Sequence, residues 1–320
     1  MAPSGLREPS QSDPISVGFL LIPRFPLMAY SAAVEPLRAA NVLAGRELYR
    51  WWHATADGQA VEASQGFSIK PDVALEQAAP TASRIFVCAG GNPSIVRDRH
   101  LLGLLRRLSR HPGLALGGIS GGPFILARAG LLDGHRCTLH WEHVPAFQET
   151  FPDVEVARSL YEIDKSRITC SGGIAALDMT LALIARDYGT ALAREVSDWF
   201  VHNQMREGPL PQRMPFALRF NVHDERLSRV LSAMESNVED PVPRQALAAL
   251  ACVSLRQLER LFSDATHMSL HEYYLRLRLA HARHLGRETT LSRNEIAQAS
   301  GFKSVAELRR VQRRYQGQDT

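Results

Sequence analysis

The sequence predicts an α/β sandwich with a mostly parallel sheet, followed by an all-α domain with two helix-turn-helix units. Three observations carry this. Over residues 15–205, strand-like apolar runs alternate with helix-like stretches, the pattern of a parallel sheet with helices layered on it. Beyond residue 218 the strand signals stop and four S-x-x-E/Q boxes follow, each heading an apolar helical stripe. Charge divides at the same place: residues 206–320 hold 18 Lys+Arg against 13 Asp+Glu, and residues 1–205 hold 19 against 20.

In chain order, residues 1–14 (MAPSGLREPSQSDP) read as a disordered lead, because they lack the apolar core of a signal peptide. ISVGFLLI (15–22) is a buried strand, 30–43 a helix, RIFVCAGG (84–91) a strand ending in glycines, and 99–110 a helix. LALGGI (114–119) is a strand, 123–129 opens a helix, and helices 175–188 and 191–206 close the domain. The proline-punctuated EGPLPQRMP (207–215) opens a linker spanning 207–218, so the domains are 15–206 and 219–320. At 320 residues, and about 150 per domain, two domains are expected. No apolar stretch reaches the ~20 residues of a membrane helix, which predicts a cytoplasmic chain without membrane contact. Cys88, Cys137, Cys170 and Cys252 are widely spaced without a C-x-x-C pair and read as reduced core thiols rather than metal ligands.

Gly118-Ile119-Ser120-Gly121-Gly122 fits G-x-S-x-G, the nucleophile elbow of serine hydrolases. Such a hydrolase needs its acid and histidine on later strands. Asp133 and His140 follow in order but within twenty residues, and too little α/β chain remains for more strands. The turn is useful without the chemistry: N–H groups at the start of the Pro123 helix, with those near Gly91, form an anion site for a ligand carboxylate.

In the helical part, LAALACVSLRQL (247–258) and IAQASGFKSVAEL (296–308) share one helix-turn-helix scheme about fifty residues apart, with a linking helix through 273–285. The second helix of such a unit presents its first residues to base edges. Beyond the cap Ser254, the expected readers are Arg256, Gln257 and Arg260. In the second unit Lys303, Ser304, Arg309 and Arg310, with Arg313 and Arg314, are expected mostly at phosphates.

SLRQLERLF, YYLRLRLAHARHL and IAQASGF resemble the DNA-binding domain of AraC/XylS-type transcription regulators over about residues 219–317. The resemblance implies binding of double-stranded promoter DNA through successive major grooves, and contact with RNA polymerase. The family usually carries phenylalanine where Leu308 and Gln312 stand and continues into an S-P-containing tail, which implies weaker packing of the second unit here. The run LGGISGGPFILARAGLLDGHRCTLHW, with ITCSGGIAALDMTLALIARDYG, is similar to the PfpI and class I glutamine amidotransferase-like superfamily, and to the N-terminal domain of GlxA-type AraC regulators. Its catalytic members have cysteine at the elbow, often followed by histidine. Ser120 and Gly121 occupy those positions here, which argues against turnover. The resemblance implies a small amino acid or betaine-like amine as effector. Glu35 matches the superfamily's acid beside the elbow, and His140 and Trp141, with Phe25 and Tyr30, are the other expected lining residues.

The chain therefore reads as a sequence-specific transcription regulator, with no catalytic residue, cofactor or metal. Helices 175–188 and 191–206 are candidates for a homodimer surface or for packing within the domain. The alternative is a serine or amide hydrolase using Ser120 and carrying a DNA-binding tail.

Overall fold

The computed structural model describes residues 13–77, 82–213, 224–289 and 291–315. Most of the expected lead, the linker stretch 214–218 and the start of the helical domain at 219–223 lie outside them. The chain divides between Gln212 and Arg213 into two compact units.

In the first unit the strands are β1 Ile15–Leu21, β2 Tyr49–Thr55, β3 Val61–Glu62, β4 Ser68–Ile69, β5 Val73–Ala74, β6 Arg84–Ala89, β7 Ala115–Ser120, β8 Arg136–Cys137, β9 Glu155–Val156, β10 Tyr161–Asp164 and β11 Arg167–Cys170. Seven form one sheet, in the order β10-β11-β7-β6-β1-β2-β5. All neighbours are parallel except the β10–β11 pair. The helices are α1 Leu27–Ala44, α2 Arg99–Leu108, α3 Gly122–Arg128, α4 Val144–Thr150, α5 Ala175–Tyr188 and α6 Thr190–Trp199.

All six residues of β6 are buried because both sheet faces are covered. Phe86 and Cys88 turn toward a core shared with Phe19, Ile119, Met179 and Val196 under α1, α5 and α6. Ile85, Val87 and Ala89 turn toward Leu105, Phe124 and Phe147 on the other side. A bidentate ion pair between Arg84 and Asp187, at 2.5 and 2.6 Å, ties β6 to the end of α5, and the Tyr49 hydroxyl donates to the same carboxylate at 2.7 Å.

Two features differ from expectation. α6 stops at Trp199 rather than running to 206, because the chain folds back and its next residues reach a buried carboxylate. Asp178, on α5 and 1% exposed, accepts from His202 Nε2 at 2.9 Å and from the Arg206 N–H, Nε and Nη2 at 2.8, 3.0 and 2.7 Å. The stretch 207–212, expected to open the linker, is fastened to the first unit: Leu160 N–H donates to the Gly208 carbonyl at 2.8 Å, and Pro211 bridges to Ser159.

The second unit contains α7 Glu225–Ser236, α8 Arg244–Leu250, α9 Leu255–Thr266, α10 Leu270–Glu288, α11 Arg293–Ala299 and α12 Val305–Tyr315. Ser254/Gln257 and Ser292/Glu295 are reciprocal capping boxes, each satisfying two amides left open by the helix start. The other two boxes are half made. Ser269 accepts from Glu272 N–H, but the Glu272 carboxylate goes to Arg276. Ser304 accepts from Glu307 N–H, and Glu307 takes the Lys303 N–H at 2.9 Å. α10 links two cores: Tyr274 packs with Leu258 and Phe262, while Leu279 and Ala282 pack with Phe302, Leu308 and Tyr315. The Arg278 guanidinium staples α10 to the second turn, donating to the Ser300 carbonyl at 3.0 Å and the Gly301 carbonyl at 2.5 Å, and lies 4.1 Å over the Phe302 ring. Gln312 is half-buried along a groove with Ala282, Ile296 and Leu308, so its amide stays outside the core.

Candidate functional site

The C-terminal ends of β11, β7, β6 and β1 lie side by side in the sheet, the place where open parallel sheets hold ligands. Ser120 closes β7 at φ 60, a left-handed conformation rare for a residue with a side chain. Close packing imposes this turn. A Cβ on Gly122 would sit 1.9 Å from the Val87 carbonyl oxygen, so α3 reaches β6 only with glycine there. A Cβ on Gly172, after β11, would meet the Ser120 Cβ at 2.8 Å. Ser120 is 6% exposed, and among the described residues its hydroxyl makes no hydrogen bond. The nucleophile–base pair that a hydrolase needs is not assembled among them; Asp133 is exposed beside the Gly130 turn.

The loop after β8 runs directly past the elbow. His140 N–H donates to the Ser120 carbonyl at 3.1 Å, and the His140 ring lies 5.3 Å from that of Trp141, which is 45% exposed. Burial, reinforced by His143, holds the His140 imidazole below its ordinary pKa against an opposing pull from Glu142.

Ser120, Gly121 and His140 thus come together, with Gly91 just past the β6 end that pairs with Ser120. Two expected contributions change. The Gly121 N–H donates to the Ala89 carbonyl at 2.8 Å, extending the β6–β7 ladder, so it is not offered to an anion. Glu35 pairs with Arg38 one helical turn on, at 2.7 Å, so its charge is already balanced by its own helix. Phe25 is fully buried and Tyr30 nearly so; both are core, with the Tyr30 hydroxyl 2.6 Å from His53 Nε2.

Arg24 was not singled out by the sequence. It stands at φ 65 past β1, and its Cβ, Cδ and Nε lie 3.6–3.7 Å from where a Gly91 Cβ would be. Among the described residues its guanidinium has no carboxylate partner and the Gly91 N–H has no acceptor. No pattern marks such an arginine in the sequence; the signal is a left-handed bend that only the backbone reveals.

Burial raises the thiols of Cys88, Cys137 and Cys170, the last two to about 12, which makes them inert core groups. Cys252 departs from the expected core position: it is exposed at φ 55 in the turn between α8 and α9.

At the start of α9, Ser254, Arg256, Gln257 and Arg260 are exposed. Arg256 and Arg260 make no ion pair among the described residues. Gln257 does double duty, since its Oε1 accepts from Ser254 N–H and Oγ–H, each at 3.0 Å. In the second unit Lys303, Ser304, Arg309, Arg310, Arg313 and Arg314 are all exposed at or along α12. Leu258, Phe262, Leu308 and Val311 face inward, which leaves the basic residues outward.

Residues 20–186 match the DJ-1/PfpI family, and residues 247–318 match a helix-turn-helix domain. The HTH-type transcriptional regulator GbdR of Pseudomonas aeruginosa (strain UCBPP-PA14) is 41% identical over 97% of this chain and 84% of its own length. The HTH-type transcriptional regulator GlxA of Rhizobium meliloti (strain 1021) is 45% identical over 91% of this chain and 89% of its own. The chain belongs to the GlxA-type AraC-family transcriptional regulators. A crystal structure of an AraC family transcriptional regulator from Pseudomonas putida, 27% identical, covers 58% of this regulator and 100% of itself, with a TM-score of 0.54. These relatives of the regulator are named for transcription control rather than for an enzymatic reaction, and its helix-turn-helix part implies DNA as partner. Among its described residues no helix is long and apolar enough to cross a membrane.

Proposed function

We propose that this regulator binds a small amine or amino-acid-like effector at the Ser120 elbow, and that binding changes how its helix-turn-helix units engage promoter DNA, as a homodimer working with RNA polymerase. The observation that carries the effector reading is the meeting of strand ends at Ser120. Arg24 lies against Gly91 just past the end of β6, and among the described residues neither its guanidinium nor the Gly91 N–H has a protein acceptor; on the loop after β8, the His140 N–H meets the Ser120 carbonyl and its ring neighbours the exposed Trp141 ring. A carboxylate suits the first pair. An ammonium suits the indole face and a neutral imidazole. The effector acts only through its difference in affinity for the two DNA-binding arrangements.

A thermal-shift screen of amino acids, betaines and their decarboxylated analogues tests this, followed by DNA binding with each hit. Arg24→Gln is expected to weaken a carboxylate-bearing hit about tenfold or more, the loss of one hydrogen bond to a charged group, and to leave a decarboxylated analogue unchanged. Equal weakening of both removes Arg24 from the site.

Arg256 and Arg260 are proposed as readers of base edges, and Lys303, Ser304, Arg309 and Arg310 as phosphate contacts. Arg256→Ala is expected to cost about 1–3 kcal/mol on the specific site and little on random DNA at the same salt. Arg309→Ala is expected to weaken both alike and to flatten the salt dependence. Equal losses on both DNAs for Arg256→Ala would move it among the phosphate contacts.

A further inference from the structure

We infer that Gln212 is a positioning residue that lets the loop beside Ser120 hold or release the segment leading to the helix-turn-helix unit; the inference rests on the effector reading of that loop. The Gln212 side-chain amide nitrogen lies within hydrogen-bond distance of three acceptors: Thr138 Oγ1 at 3.0 Å, the Leu139 carbonyl at 2.9 Å and the Ser159 carbonyl at 2.8 Å. It is the last residue of the first unit.

Two of the acceptors, on Thr138 and Leu139, belong to the loop that carries His140. Thr138 N–H donates to Thr169 Oγ1 of β11 at 2.9 Å, and Thr138 Oγ1 donates to the Ser159 carbonyl at 2.8 Å. The next residue along, His140, donates to the Ser120 carbonyl at 3.1 Å. The N–H that touches the elbow and the carbonyl that Gln212 grips therefore belong to one peptide group. A shift of His140 turns the Leu139–His140 peptide plane, because that plane is rigid, and so re-aims the Leu139 carbonyl.

The grip is also incomplete. An amide has two protons for these three acceptors. Gln212 Oε1 and Ser159 Oγ are both buried and, among the described residues, have no partner. Buried polar atoms left unsatisfied oppose the bonds that are made. The held arrangement is thus close to balance with one in which Gln212 turns to water, and such closeness lets a small displacement decide between them. The rest of the exit is anchored independently, by Asp178 on His202 and Arg206 and by Leu160 on Gly208. Release at Gln212 consequently frees the end of the segment and leaves the domain intact.

Hydrogen exchange of the full-length chain, read by mass spectrometry at the amides of Gly208, Leu210 and Gln212, tests this without a ligand. Gln212→Glu sets a carboxylate against carbonyl oxygens and is expected to speed exchange there about fivefold or more, and to speed tryptic cleavage after Arg213. The coupling is read from the elbow. Ser120→Asn enlarges a side chain while keeping a residue type that tolerates φ 60; Ser120→Gly, which loosens the backbone whose carbonyl the His140 N–H meets, serves if that variant does not fold. Either is expected to speed exchange at 208–212 in the wild-type background and to add nothing in Gln212→Glu, a non-additivity that a merely structural contact would not give. Asp72→Asn, on an exposed carboxylate beside His53, is the control that changes nothing at 208–212. Unchanged exchange at 208–212 in both elbow variants, or additive effects, would overturn the inference. Failure to find any binder in the thermal-shift screen would instead remove the effector reading and leave these measurements standing.

Discussion

Asp178→Ala lowers the stability of the first unit by about 3–5 kcal/mol, the range for removing one partner of a buried ion pair. The carboxylate is 1% exposed and receives four hydrogen bonds, two on each oxygen. Deleting it strands the Arg206 backbone N–H, its guanidinium and His202 Nε2 together. The Arg206 side chain is 35% exposed and recovers some hydration, which places the loss toward the lower end of that range. Asp178→Asn keeps one acceptor and is expected to lose less. Urea unfolding followed by a probe confined to the first unit measures both. A loss below about 1 kcal/mol for the alanine variant would mean that the folded-back exit after α6 is held by other contacts.

Phe262→Ala is expected to cost the second unit about 3–5 kcal/mol. Its ring is fully buried, edge-on to Tyr273 at 5.5 Å, in a core with Leu231, Met234, Leu247 and Leu258. That core sets α9 against α8, so its loss abolishes DNA binding. Calorimetry is expected to show the second unit's transition falling while that of the first is unchanged. A variant that loses stability and still binds specific DNA at the wild-type level would show that the second helix-turn-helix, with its own core around Phe302 and Leu308, suffices.

The helical unit was legible because its information is local. Ser254 with Gln257 and Ser292 with Glu295 are four-residue signals that work wherever they stand. The central strands were legible because uninterrupted apolar runs such as IFVCA (85–89) admit few other readings. β2 was missed because its residues YRWWHAT mix exposed, half-buried and buried positions and show neither period. The end of α6 was missed for a different reason. Residues 200–206 continue a helical pattern, and what stops them is a carboxylate on the preceding helix. At the elbow, glycine and serine spacing gave the turn. It did not give the loads on each group: Gly121 taken by Ala89, Glu35 by Arg38, and Arg24 without a carboxylate partner among the described residues.

If α9 reads base edges as proposed, occupation of the Gln257 carbonyl bears on which bases it can hold. With both its lone pairs filled by Ser254, that side chain faces outward as a giver of protons only, as do Arg256 and Arg260 beside it. Guanine, with two lone-pair atoms on its major-groove edge, satisfies such a trio; the amino group of cytosine meets nothing there that can receive it. On that proposal, the vocabulary of the half-site would be narrowed by the same two Ser254 atoms that start the helix.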